Sequence, residues 1–174
     1  MGLFGSKSLS ANEVRDLIRP TLDIANNIFE KFESFDAMLL PRKSVAIIES
    51  EQSAMNELSD FLSQVYLYYG VSTAQAMDLA QLLNENKISP SAMTAVNESF
   101  TLYAKELFKY EGEITVILKT IGLSHTDAIS FQKDSWEKAL KQDARAMNVY
   151  KSIRTKGMPW EWIDSNSWAE VVSD

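Results

Sequence analysis

The stretch that decides the fold is SPSAMTAVNESFTLYAKELFKYEGEITVILKTIG, residues 89–122. Ser89 and Pro90 are typical of a helix N-cap and first turn, and Gly122 is typical of a helix end. Between them, apolar side chains recur at alternating steps of three and four residues, which places them on one face of a helix at about 3.5 residues per turn. We call this face the seam, and its positions are Met93, Val96, Phe100, Tyr103, Leu107, Tyr110, Ile114, Ile117 and Ile121. The pattern therefore predicts a long helix over about residues 90–121.

The N-terminal third of the chain predicts a first helix that begins near Ser10. Ser10 and Glu13 have the spacing of a capping box, in which each side chain bonds the backbone N–H of the other residue. Pro20 interrupts the apolar pattern that follows. Because proline has no backbone N–H, we expect Pro20 either to kink this helix or to start a second one.

Two more helices are predicted between this region and the seam. The first covers about residues 44–69, with Gly70 as its stop, and a shorter helix covers 72–86. The opening of the first, Val45 to Ile48, is rich in β-branched residues, so a short strand is the alternative there.

A last long helix is predicted over about residues 124–156. The fold class that follows is all-α, a single bundle of about five helices with two long ones, because glycine and proline are scarce in the chain. In domain terms we expect a flexible N-terminal tail over 1–9 and the helical bundle over 10–157. A C-terminal tail over 158–174, which contains three of the four tryptophans, is expected to dock on the bundle or on a partner.

Composition bounds the class of protein. The chain has no cysteine, so it cannot form disulfides or thiolate metal sites, and a reducing, cytoplasmic location is the expectation. With 24 acidic and 17 basic residues it carries a net charge of -7, which disfavours nucleic acid and anionic membrane surfaces as partners. We therefore expect a soluble, acidic protein.

No motif in the sequence predicts catalysis, a metal or a cofactor. His125 is the single histidine, and it cannot supply the paired Glu-x-x-His motifs of a di-metal bundle. There is no nucleophile elbow and no glycine-rich phosphate loop. Glu111 and Glu113 lie two apart on a helix, point in different directions and are expected on the solvated surface. A non-enzymatic protein is the prediction.

The leading functional hypothesis is a helical protein-protein interaction, structural or regulatory protein. Large apolar side chains dominate protein interfaces. The candidate contact residues are therefore three seam positions, Leu107, Tyr110 and Ile114, and the tail residues Trp160, Trp162 and Trp168. The seam could be used inside the bundle, by a second copy in a homo-oligomer, or by another protein. Self-docking of the tail is favoured over partner docking, since exposed tryptophan lowers solubility.

Two alternatives remain open at this stage. Aromatic residues and methionines on the predicted inner faces, including Phe100, Tyr103, Tyr110, Trp136 and Met147, are compatible with a carrier that encloses an apolar small molecule. The N-terminus, MGLFGSK, fits the pattern for N-myristoylation on Gly2, which would make the chain a membrane-associated effector. A single acyl chain binds membranes only weakly, so membrane contact is the less favoured outcome.

Overall fold

Four α-helices make up most of the residues that the computed structural model describes, which are 8–39, 48–120 and 125–144. They are α1 (Ala11–Leu39), α2 (Ile48–Asn84), α3 (Pro90–Thr120) and α4 (His125–Gln142). These ranges contain no strand, so the all-α prediction is confirmed for them. Helix α2 packs against the other three helices and α1 also packs against α3, whereas α1 and α4 make at most marginal contact.

The helices alternate in direction along the chain. Contacts between α1 and α2, and between α2 and α3, join later residues of one helix to earlier residues of the other, so each pair is antiparallel. Contacts between α2 and α4 advance together, so this pair is parallel. Helices α1 and α2 are joined by the pairs Thr21–Gln75 and Phe32–Phe61. Helices α2 and α3 are joined by Tyr66–Glu111 and Tyr68–Phe100. Helices α2 and α4 are joined by Ser59–Ser135 and Gln64–Gln142. The described residues thus form an up-and-down arrangement of four helices.

The seam of α3 faces the interior of this bundle. Met93, Val96, Phe100, Leu107 and Ile114 are buried, and Tyr103 and Tyr110 are partly buried against them. The helix predicted from residue 90 is confirmed as far as Thr120, while Ile121 and Gly122 lie outside the described residues.

Helix α2 joins two segments that the sequence separates. The predicted stop at Gly70 and the predicted helix start at Ser72 are wrong, because both residues lie buried within one continuous helix. The Ser72 hydroxyl donates a hydrogen bond to the Tyr68 carbonyl (2.7 Å), one turn earlier, instead of capping a new helix. A glycine inside a helix costs only about 1 kcal/mol, which burial of the neighbouring Tyr68 and Tyr69 readily offsets. This merger is why the described residues contain four helices where about five were expected for the chain.

Helix α1 begins as predicted and continues through its proline. Glu13 Oε2 accepts the Ser10 N–H (2.7 Å) and Ser10 Oγ accepts the Glu13 N–H (3.2 Å), which confirms the capping box. Pro20 lies inside α1 and does not start a second helix. Gln75 of α2 supports the helix there, since its Nε2 donates to the Leu17 carbonyl (2.7 Å) and its Oε1 accepts the Thr21 hydroxyl.

The turn between α2 and α3 is fixed by local chemistry. Asn86 has a left-handed φ of 57°, and the N–H groups of Asn86 and Lys87 bond back to Leu83 and Leu82 in a Schellman motif. Ser89 Oγ accepts the Ala92 N–H (3.1 Å), which confirms the N-cap predicted before Pro90.

Helix α4 is shorter than expected. It ends at Gln142, and Asp143 and Ala144 are not helical, so an unbroken helix over 124–156 is wrong at this point. Aspartate is a poor helix former, and its charge opposes the negative end of the helix dipole, which favours a helix end here. Several predictions fall outside the described residues, namely those for 1–7, Val45 to Ile47, 145–157 and the tail 158–174. Ile48, the last residue of the stretch for which a strand was the alternative, is helical.

Candidate functional site

Glu111 is an acidic side chain at the edge of the described core. It lies four residues after Leu107 and three before Ile114, which places it beside the seam. The expectation that it is solvated is wrong: the residue as a whole is partly exposed, but its Oε2 is fully screened from solvent. The Tyr66 hydroxyl of α2 donates a hydrogen bond to Glu111 Oε1 (3.1 Å). The helical spacing from Leu107 was the signal in the sequence that could have identified this residue.

Aromatic side chains of two other helices complete what we call the Glu111 cluster: Glu111, Tyr66, Tyr69 and Trp136. The Trp136 ring of α4 stacks on the Tyr66 ring, with centroids 3.9 Å apart and planes 5° apart. Tyr69 is completely buried on the next turn of α2. The cluster therefore ties α2 to both α3 and α4.

Burial decides the protonation of this carboxyl. Loss of solvation raises the pKa of Glu111 to about 7, even though hydrogen bonding to Tyr66 and Tyr69 lowers it in part. Burial and the nearby Glu111 charge likewise raise the pKa of Tyr69 above its usual value. A carboxyl that titrates near neutrality can exchange a proton in this pH range.

A groove opens on the other side of α2, between α1 and α4, and we call it the α1–α2–α4 groove. Its volume is about 820 Å³. The buried side chains Ile28 and Phe61 contribute apolar surface at its base, and its rim is charged. The charged rim residues are Glu30 and Lys31 of α1, Glu57 and Asp60 of α2, and Lys138 and Lys141 of α4. No residue of the Glu111 cluster lines this groove, so the titrating carboxyl does not face it.

The α4 wall of the groove is held to α2 by polar contacts. Lys138 Nζ donates to Ser59 Oγ (2.7 Å) and lies 3.3 Å from Asp60 Oδ1. Gln64 Nε2 donates to Gln142 Oε1 (3.4 Å) further along the same wall. Because Lys138 is already engaged by Asp60, Lys31 and Lys141 are the other two basic residues of the rim.

The residues predicted to contact a partner divide into two groups. Leu107 and Ile114 are buried in the bundle, and Tyr110 stacks on Phe32 with ring centroids 4.2 Å apart. These three side chains are thus used between helices of the same chain. The other predicted residues, Trp160, Trp162, Trp168 and the lipidation candidate Gly2, lie outside the described residues.

Three of the aromatic side chains predicted to surround a ligand contact aromatic rings of neighbouring helices. Tyr103 and Tyr110 each meet the edge of Phe29, with centroid distances of 5.8 and 5.6 Å, and Trp136 stacks on Tyr66. Phe100 is fully buried. Met147 lies outside the described residues. The inner faces are therefore filled by side chains where these residues meet.

In the described part of the chain, no group of three or more His, Cys, Asp or Glu residues is placed to hold a metal ion. None of the helices found there has both the length and the apolar character needed to cross a bilayer.

The groove is the feature that sequence reasoning missed completely. Its lining comes from three helices that are far apart in the chain, and no local pattern marks such an assembly. No family model matches the chain, no curated protein matches it, and no solved structure matches it.

Proposed function

We propose that this chain is a non-enzymatic protein-interaction protein that receives a segment of a partner protein in the α1–α2–α4 groove. The observation that carries the proposal is the groove itself, about 820 Å³ with an apolar base and a charged rim of both signs. Protein interfaces combine an apolar centre with a polar rim in this way.

The distribution of apolar surface in the bundle favours the groove over α3 as the contact region. Leu107 and Ile114 are buried between helices of the bundle, so a partner that bound them would have to displace a helix. The groove needs no such rearrangement. A side chain that enters it meets Ile28 and Phe61 and the aliphatic stems of the rim lysines.

An enzymatic role finds less support. Glu111 has the perturbed pKa that is common in active sites, yet its carboxyl lies between helices and away from the groove. A general acid must reach its substrate within hydrogen-bond distance, and the Glu111 carboxyl is instead engaged by tyrosine hydroxyls of α2.

A direct test places a photo-reactive amino acid at single positions of the full chain in its native cells. Gln64 and Lys141 line the groove, and Glu98, which is exposed on α3, is the matched control. We expect the two groove positions to cross-link the same protein of defined mass, and position 98 not to. Equal labelling from all three positions, or none from the groove, would contradict the proposal.

A carrier of an apolar small molecule is the second candidate, and one observation favours it. The groove volume falls within the range of roughly 300–1,000 Å³ that small-molecule sites occupy. Native mass spectrometry of the purified chain tests it, since a carrier retains a non-covalent mass that an unliganded interaction protein lacks.

The membrane-associated effector remains a prediction that rests on Gly2 alone. If Gly2 carries a myristoyl group, the intact mass of the protein from eukaryotic cells includes one acyl chain, and Gly2→Ala removes it. Unchanged partition between membrane and soluble fractions after this substitution would leave the groove as the sole contact region proposed.

A further inference from the structure

We propose that protonation of Glu111 controls how firmly α4, and with it the α4 wall of the α1–α2–α4 groove, is held on α2. The neutral Glu111 side chain keeps α4 in place, and its ionisation allows α4 to detach. The switch stands on the contacts described below, and only its consequence for a partner protein rests on the proposed function.

Helix α4 is attached to the described bundle on one side. Among the described residues it packs substantially on α2 alone, whereas α1, α2 and α3 all pack on one another. The contacts that hold it include the stack of Trp136 on Tyr66 and the hydrogen bond from Lys138 to Ser59. An element with few neighbours opens locally at a lower cost than global unfolding. We therefore expect α4 to detach before the other three helices separate.

Tyr66 connects α4 to Glu111. Its ring stacks on Trp136 with centroids 3.9 Å apart, and its hydroxyl donates to Glu111 Oε1 at 3.1 Å. Glu111 Oε2 is screened from solvent in the same cluster, and Tyr69 is completely buried there. Because Trp136 covers Tyr66 and Tyr66 contacts the carboxyl, detachment of α4 opens a path for water to Glu111.

The two protonation states of Glu111 favour different arrangements. A neutral carboxyl loses little on leaving water, whereas a carboxylate loses its hydration. Hydrogen bonding to Tyr66 and Tyr69 compensates this loss only in part, so the pKa of Glu111 rises to about 7 in the closed bundle. Once water reaches the carboxyl, the pKa returns towards its ordinary value of 4.5. Ionisation therefore favours the open form.

The titratable groups that act directly on the Glu111 carboxyl are two phenols of α2. Tyr66 and Tyr69 hydrogen-bond it, and burial raises the pKa of Tyr69 above its usual value. Helix α1 meets this part of α3 at Tyr110, on which its exposed Glu33 acts. Charged side chains of α4 near Trp136 are exposed or paired across the groove wall: Lys133, Asp134, Glu137 and Lys138. On α3 itself the charged neighbours are paired or exposed: Glu106, Lys109 and Glu113.

Helix α4 belongs to both the Glu111 cluster and the groove. Trp136 lies in the cluster, and Lys138, Lys141 and Gln142 form the α4 wall of the groove. The six residues from Trp136 to Gln142 span only about 9 Å of helix, so the wall moves when Trp136 leaves Tyr66. The groove is therefore complete when Glu111 is protonated, and a partner segment binds most firmly in that state.

Amide hydrogen exchange of the full chain, followed by mass spectrometry, measures the opening of α4. Peptides from residues 131–142 report on α4, and peptides from residues 18–28 of α1 are the internal control. The rates are corrected for intrinsic exchange at each pH. Because opening releases one proton, we expect the opening constant of α4 to rise by up to about tenfold per pH unit from 4.5 to 7 and then to level off. In Glu111→Gln we expect it to be constant over this range.

Glu113→Gln is the matched control, since Glu113 is exposed two residues away, and it is expected to retain the native profile. An α4 opening constant that does not change with pH in the native chain, or that rises equally in Glu111→Gln, would overturn the proposal. An equal rise in the α1 peptides would also overturn it, because the bundle would then open as a whole.

Tyr66→Phe tests the connection between the two helices. It keeps the ring that stacks on Trp136 and removes the hydroxyl that donates to Glu111. That hydrogen bond lowers the pKa of Glu111, so its loss raises the pKa further, and the opening of α4 is expected to level off at a higher pH than in the native chain. A profile identical to that of the native chain would show that Tyr66 does not link Glu111 to α4.

The same measurements separate this proposal from the proposed function. If the opening of α4 is independent of Glu111 while Gln64 and Lys141 still cross-link a partner, the switch is wrong and the interaction function stands. If α4 opens as expected and no partner is captured at either position, the switch stands and the interaction function is wrong.

Discussion

The Glu111 cluster and the α1–α2–α4 groove both include residues of α2 within three turns of each other, yet they differ in their exposure to solvent. Tyr66 and Tyr69 of the cluster are buried, and the carboxyl between them and α3 has lost its solvation. Asp60 and Gln64 of the groove keep contact with water, and their partners from α4 are half-exposed or exposed.

The difference follows from which helices meet over α2. Tyr66 contacts both Trp136 of α4 and Glu111 of α3, so it is covered from two sides. Over Asp60, α4 approaches α2 but makes at most marginal contact with α1, and the space between them stays open. Where the helices pack closely over α2, Glu111 loses its solvation and its pKa rises. Where they stay apart, the charged residues of the groove remain accessible to a ligand.

The largest expected effect comes from breaking the sealed region. Trp136→Ala removes the ring that stacks on Tyr66 and leaves a cavity between α2 and α4. We expect the free energy of unfolding to fall by about 3–5 kcal/mol, the usual cost of truncating a buried large aromatic side chain. Urea unfolding followed by circular dichroism measures this loss.

Lys141→Ala is the matched change on the open side, because Lys141 is exposed on the same helix. We expect its effect on the free energy of unfolding to stay within about 0.5 kcal/mol. Comparable losses for Trp136→Ala and Lys141→Ala would show that the two regions do not differ as described.

The second prediction concerns the pH dependence of stability. The pKa of Glu111 is raised from 4.5 to about 7, so between these pH values the folded chain binds more protons than the unfolded chain. Stability from this group is thus fully present below pH 4.5 and is lost as pH rises through 7, in total about 3 kcal/mol. Glu111→Gln, which keeps the shape without the charge, is expected to flatten this part of the pH profile and to be the more stable form at pH 8.

Urea unfolding at a series of pH values from 4 to 8 on the native chain and the variant measures the difference directly. Glu113→Gln is the control, since Glu113 lies two residues away and is exposed. Parallel profiles for the native chain and Glu111→Gln, or equal flattening by Glu113→Gln, would contradict the assignment.

The smallest expected effect lies at the groove wall. Lys138 and Asp60 keep 42% and 76% of their side-chain exposure, so water and salt screen their attraction. A double-mutant cycle with Asp60→Asn and Lys138→Met is expected to give a coupling free energy below about 1 kcal/mol. A coupling well above this value would mean that the groove wall is as dry as the Glu111 cluster.

Local signals in the sequence located several features correctly. The Ser10 and Glu13 capping box and the Ser89 N-cap are contacts between residues three apart, so spacing alone identifies them. The buried face of α3 as far as Ile114 follows in the same way from the period of the helix.

Features that depend on distant residues were beyond such reasoning. Gly70 stays helical because the buried tyrosines that precede it outweigh its weak helix propensity, and propensity alone predicted a stop. The helix on either side of Pro20 is hydrogen-bonded by Gln75, fifty-five residues further along the chain.

What the sequence determined by itself is the helical character of the chain, its caps at Ser10 and Ser89, and the apolar face of α3. Only the tertiary structure decided that Glu111 is screened from solvent, that α2 is one helix, and that a groove lies between α1 and α4. The physical reason is range: hydrogen bonds and periodic burial within a helix are set by neighbours three or four residues away. Desolvation and concave surface arise only when separate helices meet.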